Sequence, residues 1–449
     1  LPRAFRVLGA FVALALALPA SAPARAQSTG GPNAAHEKTL REESAYLDNV
    51  ERRLKARELD AAASLLASFA PTTAYGRLHA TFLRGVLAQL SGKTAEAIAT
   101  YRSILNANPK LSRVRIQLAD ALTKAGDNEG AGHQVDLLAA EAGQEDVADR
   151  LRSIANRLKK QKRWYLRANL SALPTTNMNN APASPYLMVG NMPLTLDPKY
   201  QHKSGIGANY GFDAGGSLPV ADGVNMIAAA SVNNMDFRGK SYDDRVTRLS
   251  IGPQFYSGPN YVGFEPFAVR RWYGGERYSI AGGGKVYSHF ALPDGQRTNF
   301  SVSVSRQIYD KLSYQNGWHG GFEASLDTFA TASSFWRIGA TTDYDHTHKR
   351  HLDYAEGGVN VGHYRELPWG VSIFPQIGLA YRQYIGVFPL TESRRKDRRL
   401  AASLTLTKRD WIWYGFAPRL IYTFVLNRSN VSLYQYTRHD VRLSMVRDF

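Results

Sequence analysis

Phe300-Ser301-Val302-Ser303-Val304-Ser305 alternates apolar and hydroxyl side chains without a break. A period of two belongs to an extended strand, whose successive side chains point to opposite faces. The same alternation returns in Phe322-Glu323-Ala324-Ser325-Leu326-Asp327, in Trp336-Arg337-Ile338-Gly339-Ala340-Thr341 and in Leu400-Ala401-Ala402-Ser403-Leu404-Thr405-Leu406-Thr407. Near the end, Phe416, Pro418, Leu420, Tyr422, Phe424 and Leu426 line one face, opposite Arg419, Thr423 and Asn427. One greasy face and one wet face suit a soluble sandwich as well as a barrel in lipid, so alternation alone decides nothing between them.

Three wider features favour the barrel. There are 14 such segments, near 163–172, 205–218, 223–237, 242–256, 261–273, 279–292, 297–310, 319–330, 334–346, 352–366, 370–385, 396–409, 413–427 and 434–449. Many exceed the roughly 5–6 residues usual in soluble sheets and are long enough to tilt across a bilayer. Their connections alternate in kind. Pro219–Gly223, Ser257–Asn260, Leu292–Gly295 and Leu367–Gly370 are tight, whereas Leu173–Ser204 is long; short periplasmic turns and longer outer loops are the habit of outer-membrane barrels. Trp164, Trp272, Trp318, Trp336, Trp369, Trp411 and Trp413 gather near segment ends, where a membrane–water boundary satisfies both the ring and its polar edge. The expected fold is a short N-terminal helical, tetratricopeptide-like solenoid followed by a 14-stranded antiparallel outer-membrane β-barrel.

Composition places the join. Residues 1–162 hold seven aromatic residues and no Trp, while 163–449 hold 43 aromatics, all seven Trp and 28 of the 38 Gly. The basic stretch Leu158-Lys159-Lys160-Gln161-Lys162-Arg163 is the hinge. Residues 1–26 read as a secretory signal: Arg3 and Arg6, an apolar run Val7 to Ala22, then Ala24-Arg25-Ala26. The expected domains are therefore a signal peptide 1–26, a periplasmic helical domain 27–162 and a transmembrane barrel 163–449.

Residues 77–160 show apolar spacing near 3.6 and many Ala and Leu, as helices do. Gly85, Ala97, Tyr101 and Pro109 stand at the spacing of a tetratricopeptide repeat, and a shift of 34 residues reaches Ala119, Ala131 and Val135. A weaker copy lies upstream, with Ala63 in the place of Ala97, and a closing helix is expected at Glu145–Lys160. Stacked helix pairs make a concave surface. On this pattern His79, Phe82, Gln89, Arg113, Ile116 and Asp120 would line a cargo-docking groove; the plain alternative is a helical spacer.

The chain has no Cys and a net charge of +17. Zero Cys excludes disulfides, thiolate metal sites and a Cys nucleophile. The basic excess is spread thinly, without the clusters or module a nucleic-acid binder needs, so no nucleic-acid partner is expected. Gly282-Gly283-Gly284-Lys285 lacks phosphate-loop spacing and lies in a strand region, and the His346, His348 and His351 cluster sits beside Lys349 and Arg350, which would repel a metal. No catalytic site, metal or cofactor is expected, and the chain does not read as an enzyme. Charged Glu323, Asp327, Arg337, Asp343 and Arg419 should face the lumen, since charge toward lipid is costly. Their mixed signs argue against a strongly ion-selective channel.

The chain ends Val441-Arg442-Leu443-Ser444-Met445-Val446-Arg447-Asp448-Phe449, an alternating strand with a terminal aromatic. Together with Gly415-Phe416-Ala417-Pro418-Arg419-Leu420-Ile421-Tyr422, the run Asn427-Arg428-Ser429-Asn430-Val431 and Tyr434-Gln435-Tyr436, it resembles the closing hairpin of the surface lipoprotein assembly modulator (Slam) family, the translocons of type XI secretion. The whole layout of signal, short helical domain and barrel is similar, although the helical domain is small and degenerate. The resemblance implies an outer-membrane protein of a Gram-negative bacterium. It would export or display surface lipoproteins or related secreted proteins, with the cargo and a periplasmic chaperone as partners. Phe449 would be the signal to the barrel-assembly machinery, and outer-membrane lipid and lipopolysaccharide would surround the wall. An exopolysaccharide export porin and a general solute porin with an accessory domain are the rival readings.

Overall fold

The computed structural model describes residues 34–125, scattered positions between 131 and 138, and 163–446 apart from 190–191, 258–259, 293–295, 332, 368–369, 390–391, 409–410, 412 and 414–415. The expected processing segment 1–26, the closing helix 145–160, the hinge at 158–162 and Phe449 lie outside the described residues. Two compact units are present, 1–127 and 128–449.

The first unit has helices α1 (Ala34–Lys55), α2 (Leu59–Ser68), α3 (Ala74–Leu90), α4 (Thr94–Ala107) and α5 (Ser112–Lys124). Thr73 caps α3 by accepting from the Gly76 N–H at 2.9 Å. The Glu43 carboxylate on α1 accepts from the Thr72 N–H at 2.6 Å, the Thr72 hydroxyl at 2.8 Å, the Thr73 N–H at 3.2 Å and the Thr73 hydroxyl. One acidic side chain thereby ties α1 to the start of α3. Gly85 allows α3 to approach α4, because a Cβ there would stand 2.7 Å from the Tyr101 ring. Ala97, Tyr101, Ala119 and Ala131 are buried as the repeat pattern requires. In the upstream copy Ala62 is buried and Ala63 exposed, so that repeat is displaced by one residue. A single-residue slip in a shortened turn is invisible to spacing alone.

The second unit is a closed barrel. Strand β1 (Arg163–Thr175) leads to a short hairpin, β2 (Tyr186–Val189) and β3 (Met192–Thr195). Then follow β4 (Gly205–Ala221), β5 (Val224–Phe237), β6 (Asp244–Ser257), β7 (Asn260–Tyr273), β8 (Glu276–Leu292) and β9 (Gln296–Tyr309). The wall continues through β10 (Gly317–Thr331), β11 (Ser334–Thr347), β12 (Tyr354–Leu367), β13 (Val371–Val387), β14 (Arg394–Lys408), β15 (Ala417–Ser429) and β16 (Tyr436–Val446). Each barrel strand pairs antiparallel with its neighbour, and β1 closes the ring by meeting both β4 and β16. Closure is what lipid demands, since an open edge would leave backbone groups unpaired at several kcal/mol each. Gly282-Gly283-Gly284-Lys285 is an ordinary part of β8.

Alternation sorts the side chains. Leu166, Ile206, Leu249, Phe264, Val302, Ile338, Leu379 and Leu443 are exposed on the outer face. Asn209, Gln254, Asp327, Glu356, Thr407 and Asn427 are buried on the inner one. Short connections join β4 to β5, β6 to β7, β8 to β9, β10 to β11 and β12 to β13 at one end. The connection 409–416 at that end is longer; exposed Trp411 and Trp413 sit on it, and Trp413 and Phe416 exchange backbone hydrogen bonds at 2.9 Å. At the other end the segment 176–204 has its base tucked against the wall. Asn177 is buried and donates to the Ala181 carbonyl at 2.9 Å, and the Met178 N–H donates to the Lys203 carbonyl at 2.8 Å. Tyr186 and Met192 on the β2–β3 hairpin are exposed.

Candidate functional site

In the helical unit the six groove residues lie on α3 and α5, and His79 and Arg113 meet Glu51 of α1. Tyr101 donates to Gln89 Oε1 at 2.8 Å, and Gln89 Nε2 donates to Asp120 Oδ2 at 2.8 Å. The Arg113 guanidinium lies 5.2 Å from the Phe82 ring centre and donates to Glu51 Oε1 at 2.7 Å. Phe82, Gln89 and Ile116 are buried, whereas Arg113 is exposed. Much of the predicted groove therefore satisfies itself. His79 differs: neither ring nitrogen has a hydrogen-bond partner, and its Nε2 stands 3.9 Å from Glu51 Oε2. Burial pushes the His79 imidazole below its usual range, with Glu51 opposing and Arg113 reinforcing that shift.

In the barrel all five charged residues expected in the lumen lie on the inner alternation. Asp327 is 0% exposed and is clasped by two arginines from the flanking strands. Arg297 Nε lies 2.7 Å from Oδ2, while Arg337 reaches both oxygens at 2.6 and 2.8 Å. Phe329, Phe335, Tyr364 and Phe374 pack beside them near the tight-turn end. Glu323 accepts a long bond of 3.4 Å from Ser301, and Arg419 donates to the Thr407 hydroxyl at 3.1 Å. Asp343 and Asp345 bracket His319, at 3.7 Å from Nε2 and 3.0 Å from Nδ1.

Several luminal groups have no forerunner in the sequence reading. Glu356 is shared by Arg382, at 2.6 Å, and Arg399; Arg271 grips Asp244 at 2.8 and 2.7 Å; Arg248 meets Glu265 at 2.9 Å. For Glu356 and Arg382, opposite charges at matched register were the available signal once strand pairing was assumed; the other pairs are diagonal and carry no such signal. His346 Nδ1 lies 3.1 Å from Asp353 Oδ2, and among the described residues no group of three or more metal-binding side chains converges.

The closing seam is one of the places where the ladder is interrupted, as it also is between β6 and β7 and between β12 and β13. Strands β1 and β16 register through Ser171 opposite Ser444, Ala172 opposite Leu443 and Thr175 opposite Asp440. The two positions between, Leu173 with Arg442 and Pro174 with Val441, are not paired. Pro174 has no N–H to donate. Behind the gap lies a cavity of about 230 Å³, bordered by β1, β5, β15, β16 and the base of the 176–204 segment.

A closed barrel of 14 tilted strands with an apolar outer belt and a charged interior, joined to a tetratricopeptide-like unit, defines an outer-membrane β-barrel protein with an accessory repeat domain. The pattern of the family "Surface lipoprotein assembly modifier" matches residues 164–449, and that of the same family's N-terminal TPR repeats matches residues 34–135. The chain belongs to this family. It is 26% identical over 385 residues to Surface lipoprotein assembly modifier 1 of Neisseria meningitidis serogroup B, covering 83% of this chain and 76% of that protein. With Surface lipoprotein assembly modifier of Pasteurella multocida the identity is 24% over 391 residues, covering 82% and 75%. Hemophilin secretion modulator of Acinetobacter baumannii is 22% identical over 412 residues, covering 84% and 80%.

Proposed function

We propose that this chain exports or displays surface lipoproteins, or related secreted proteins, across the outer membrane. The observation that carries the reading is the match of both units to one family, on a barrel whose closed wall fits the outer membrane. The relatives' names supply the cargo class, lipid-modified in some and a secreted protein in one.

In this reading residues 27–162 form the periplasmic domain, behind a signal peptide at 1–26, and receive cargo or its chaperone. His79, whose ring nitrogens have no hydrogen-bond partner, and the exposed Arg113, bonded to Glu51, are the groove positions a partner would engage. The barrel from residue 163 onward passes the cargo outward, with Phe449 presented to the barrel-assembly machinery and lipopolysaccharide against the outer wall. Luminal charges of both signs, most of them paired, suit a passage for a polypeptide of mixed charge better than an ion-selective pore. The driving force is the folding of cargo outside, and the chain itself performs no covalent chemistry.

Deleting the gene tests this. Protease shaving of intact cells should show a surface lipoprotein lost from the surface, while polymer secretion and small-solute uptake stay intact. Loss of polymer alone would favour the polysaccharide exporter, and an open pore without a cargo phenotype would favour the solute channel.

A further inference from the structure

We propose that the cavity behind the β1–β16 seam holds an acyl chain of a lipid-modified cargo and passes it through the interrupted ladder toward the outer leaflet. The inference rests on the export reading above and names the part of the cargo that this site takes.

Apolar lining is the first ground. Much of the inner face is polar, but Leu173, Met178, Met235, Phe237 and Ile421 converge on one side of this cavity, opposite Thr175, Asn177, Thr423 and the charged Arg438, Asp440 and Arg442. Leu173 and Phe237 are buried there. Size is the second. An apolar cavity of about 150 Å³ already holds a benzene ring, so about 230 Å³ accepts a run of several methylenes. The third is charge. Arg438 is bound to Asp440, at 2.8 Å, whereas the Arg442 guanidinium lines the cavity without an ion-pair or hydrogen-bond partner among the described residues. A lone cation beside an apolar slot suits the ester and amide oxygens at the head of an acyl chain.

Position is the fourth ground. Leu173 and Arg442 border the cavity and are themselves one of the two unpaired positions of the seam. On the outer side of the same stretch, exposed Leu170 and Leu443 face hydrocarbon. The gap lies toward the loop end of β1, ten residues past its start, which is the outer-leaflet half of the wall. A lipid anchor that must end in that leaflet meets an interrupted ladder at the right depth. Polar cargo segments would gain nothing from these five side chains.

The test uses cells carrying the full-length chain, a lipoprotein cargo labelled with an alkynyl fatty acid, and the same cargo lacking its acylated cysteine. Leu173→Trp and Ile421→Trp fill the cavity. Surface display of the acylated cargo should fall by about tenfold or more, since losing the burial of two methylenes weakens binding by that factor. Export of the non-acylated form should stay near its original level. Equal loss of both forms, with the barrel still folded by its heat-modifiable mobility, would overturn the proposal, as would no loss of either. If the unaltered chain exports neither form, the export reading itself is wrong. Because a bulky residue on a strand can impair barrel assembly, a photo-crosslinking p-benzoylphenylalanine in place of Met178, on the loop wall, reads occupancy independently. A crosslink to alkyne-bearing cargo supports the acyl site; crosslinks to bilayer lipid alone overturn it.

Discussion

The hairpin β10–β11 and the seam β1–β16 are parts of one sheet, yet they are built on opposite terms. Along β10–β11 the register runs from Gly317 opposite Thr347 to Phe329 opposite Phe335 without omission, and Asp327 is locked by arginines on either side. At the seam the described ladder skips Leu173 and Pro174 between Ala172 and Thr175, Pro174 withholds a donor, and Arg442 lines a cavity with one apolar side. A cylinder in lipid must close everywhere, so stability can be lowered only locally. The difference teaches that this wall keeps its rigidity in buried ion pairs on one side and interrupts its ladder at the joint between the first and last strands.

The largest effect belongs to the rigid side. Asp327→Ala strips the shared counter-ion from Arg297 and Arg337 and leaves two half-buried cations without it. Breaking a buried pair costs roughly 3–5 kcal/mol. Denaturant unfolding of the detergent-solubilised barrel should show a loss of that order, and an unchanged midpoint would mean that the cluster does not stiffen this wall.

The helical unit carries the same contrast between closed and open polar groups, and pH sharpens it. Burial disfavours the Glu43 carboxylate, but the donors of Thr73 and Thr72 prevail and hold its pKa at about 2, from an ordinary 4.5. A depressed carboxylate pKa stabilises the fold fully above about pH 4.5 and loses that contribution as pH falls toward about 2. His79, depressed by burial, disfavours protonation in the folded state, so stability declines as pH falls below its ordinary 6.5. Hydrogen exchange across α1 and α3 of the intact chain should rise on acidification through both windows. Glu43→Gln should flatten the lower one, and His79→Gln the upper. Curves that match those of the unaltered chain would remove both residues from the pH response.

The smallest effect is at the seam. Pro174→Ala restores an N–H to an interrupted ladder and should stabilise the barrel by about 0.5–1.5 kcal/mol, the net value of one hydrogen bond. Slower exchange at residues 173–175 would accompany it. Destabilisation would show that the proline is wanted for its fixed backbone and not for the donor it lacks.

Most of the fold was legible because period-two alternation is a local property. Phe300 to Ser305 announces both its strand and its faces, and each of the 14 expected segments overlaps a barrel strand. The tight and long connections were equally local, apart from 409–416, where the segment expected from Trp413 begins only at Ala417. The candidate site was legible only in part. Asp327 and Arg337 could be assigned inward by parity, yet their shared clasp with Arg297 depends on the register of three strands. Ile421, Leu173 and Phe237 were hidden for a different reason: alternation teaches that inner positions are polar, and these break the rule where the site lies. The seam could not be read at all, because it joins residues some 270 positions apart, Ala172 with Leu443. In the helices the repeat spacing found α3 to α5, while the groove residues it nominated were spent largely on one another, as Gln89 with Tyr101 and Asp120 shows.

The chain has no Cys of its own, which makes one measurement unusually clean. Ala172→Cys with Leu443→Cys places a single disulfide across the seam, and Ala324→Cys with Ala340→Cys places a matched one across β10–β11. Surface display of a lipoprotein cargo is then followed by protease shaving, before and after a reductant. A seam that yields during export should lose about tenfold or more of the displayed cargo when locked and recover it on reduction, while the β10–β11 lock changes nothing. Undiminished display through a fully oxidised seam would contradict it.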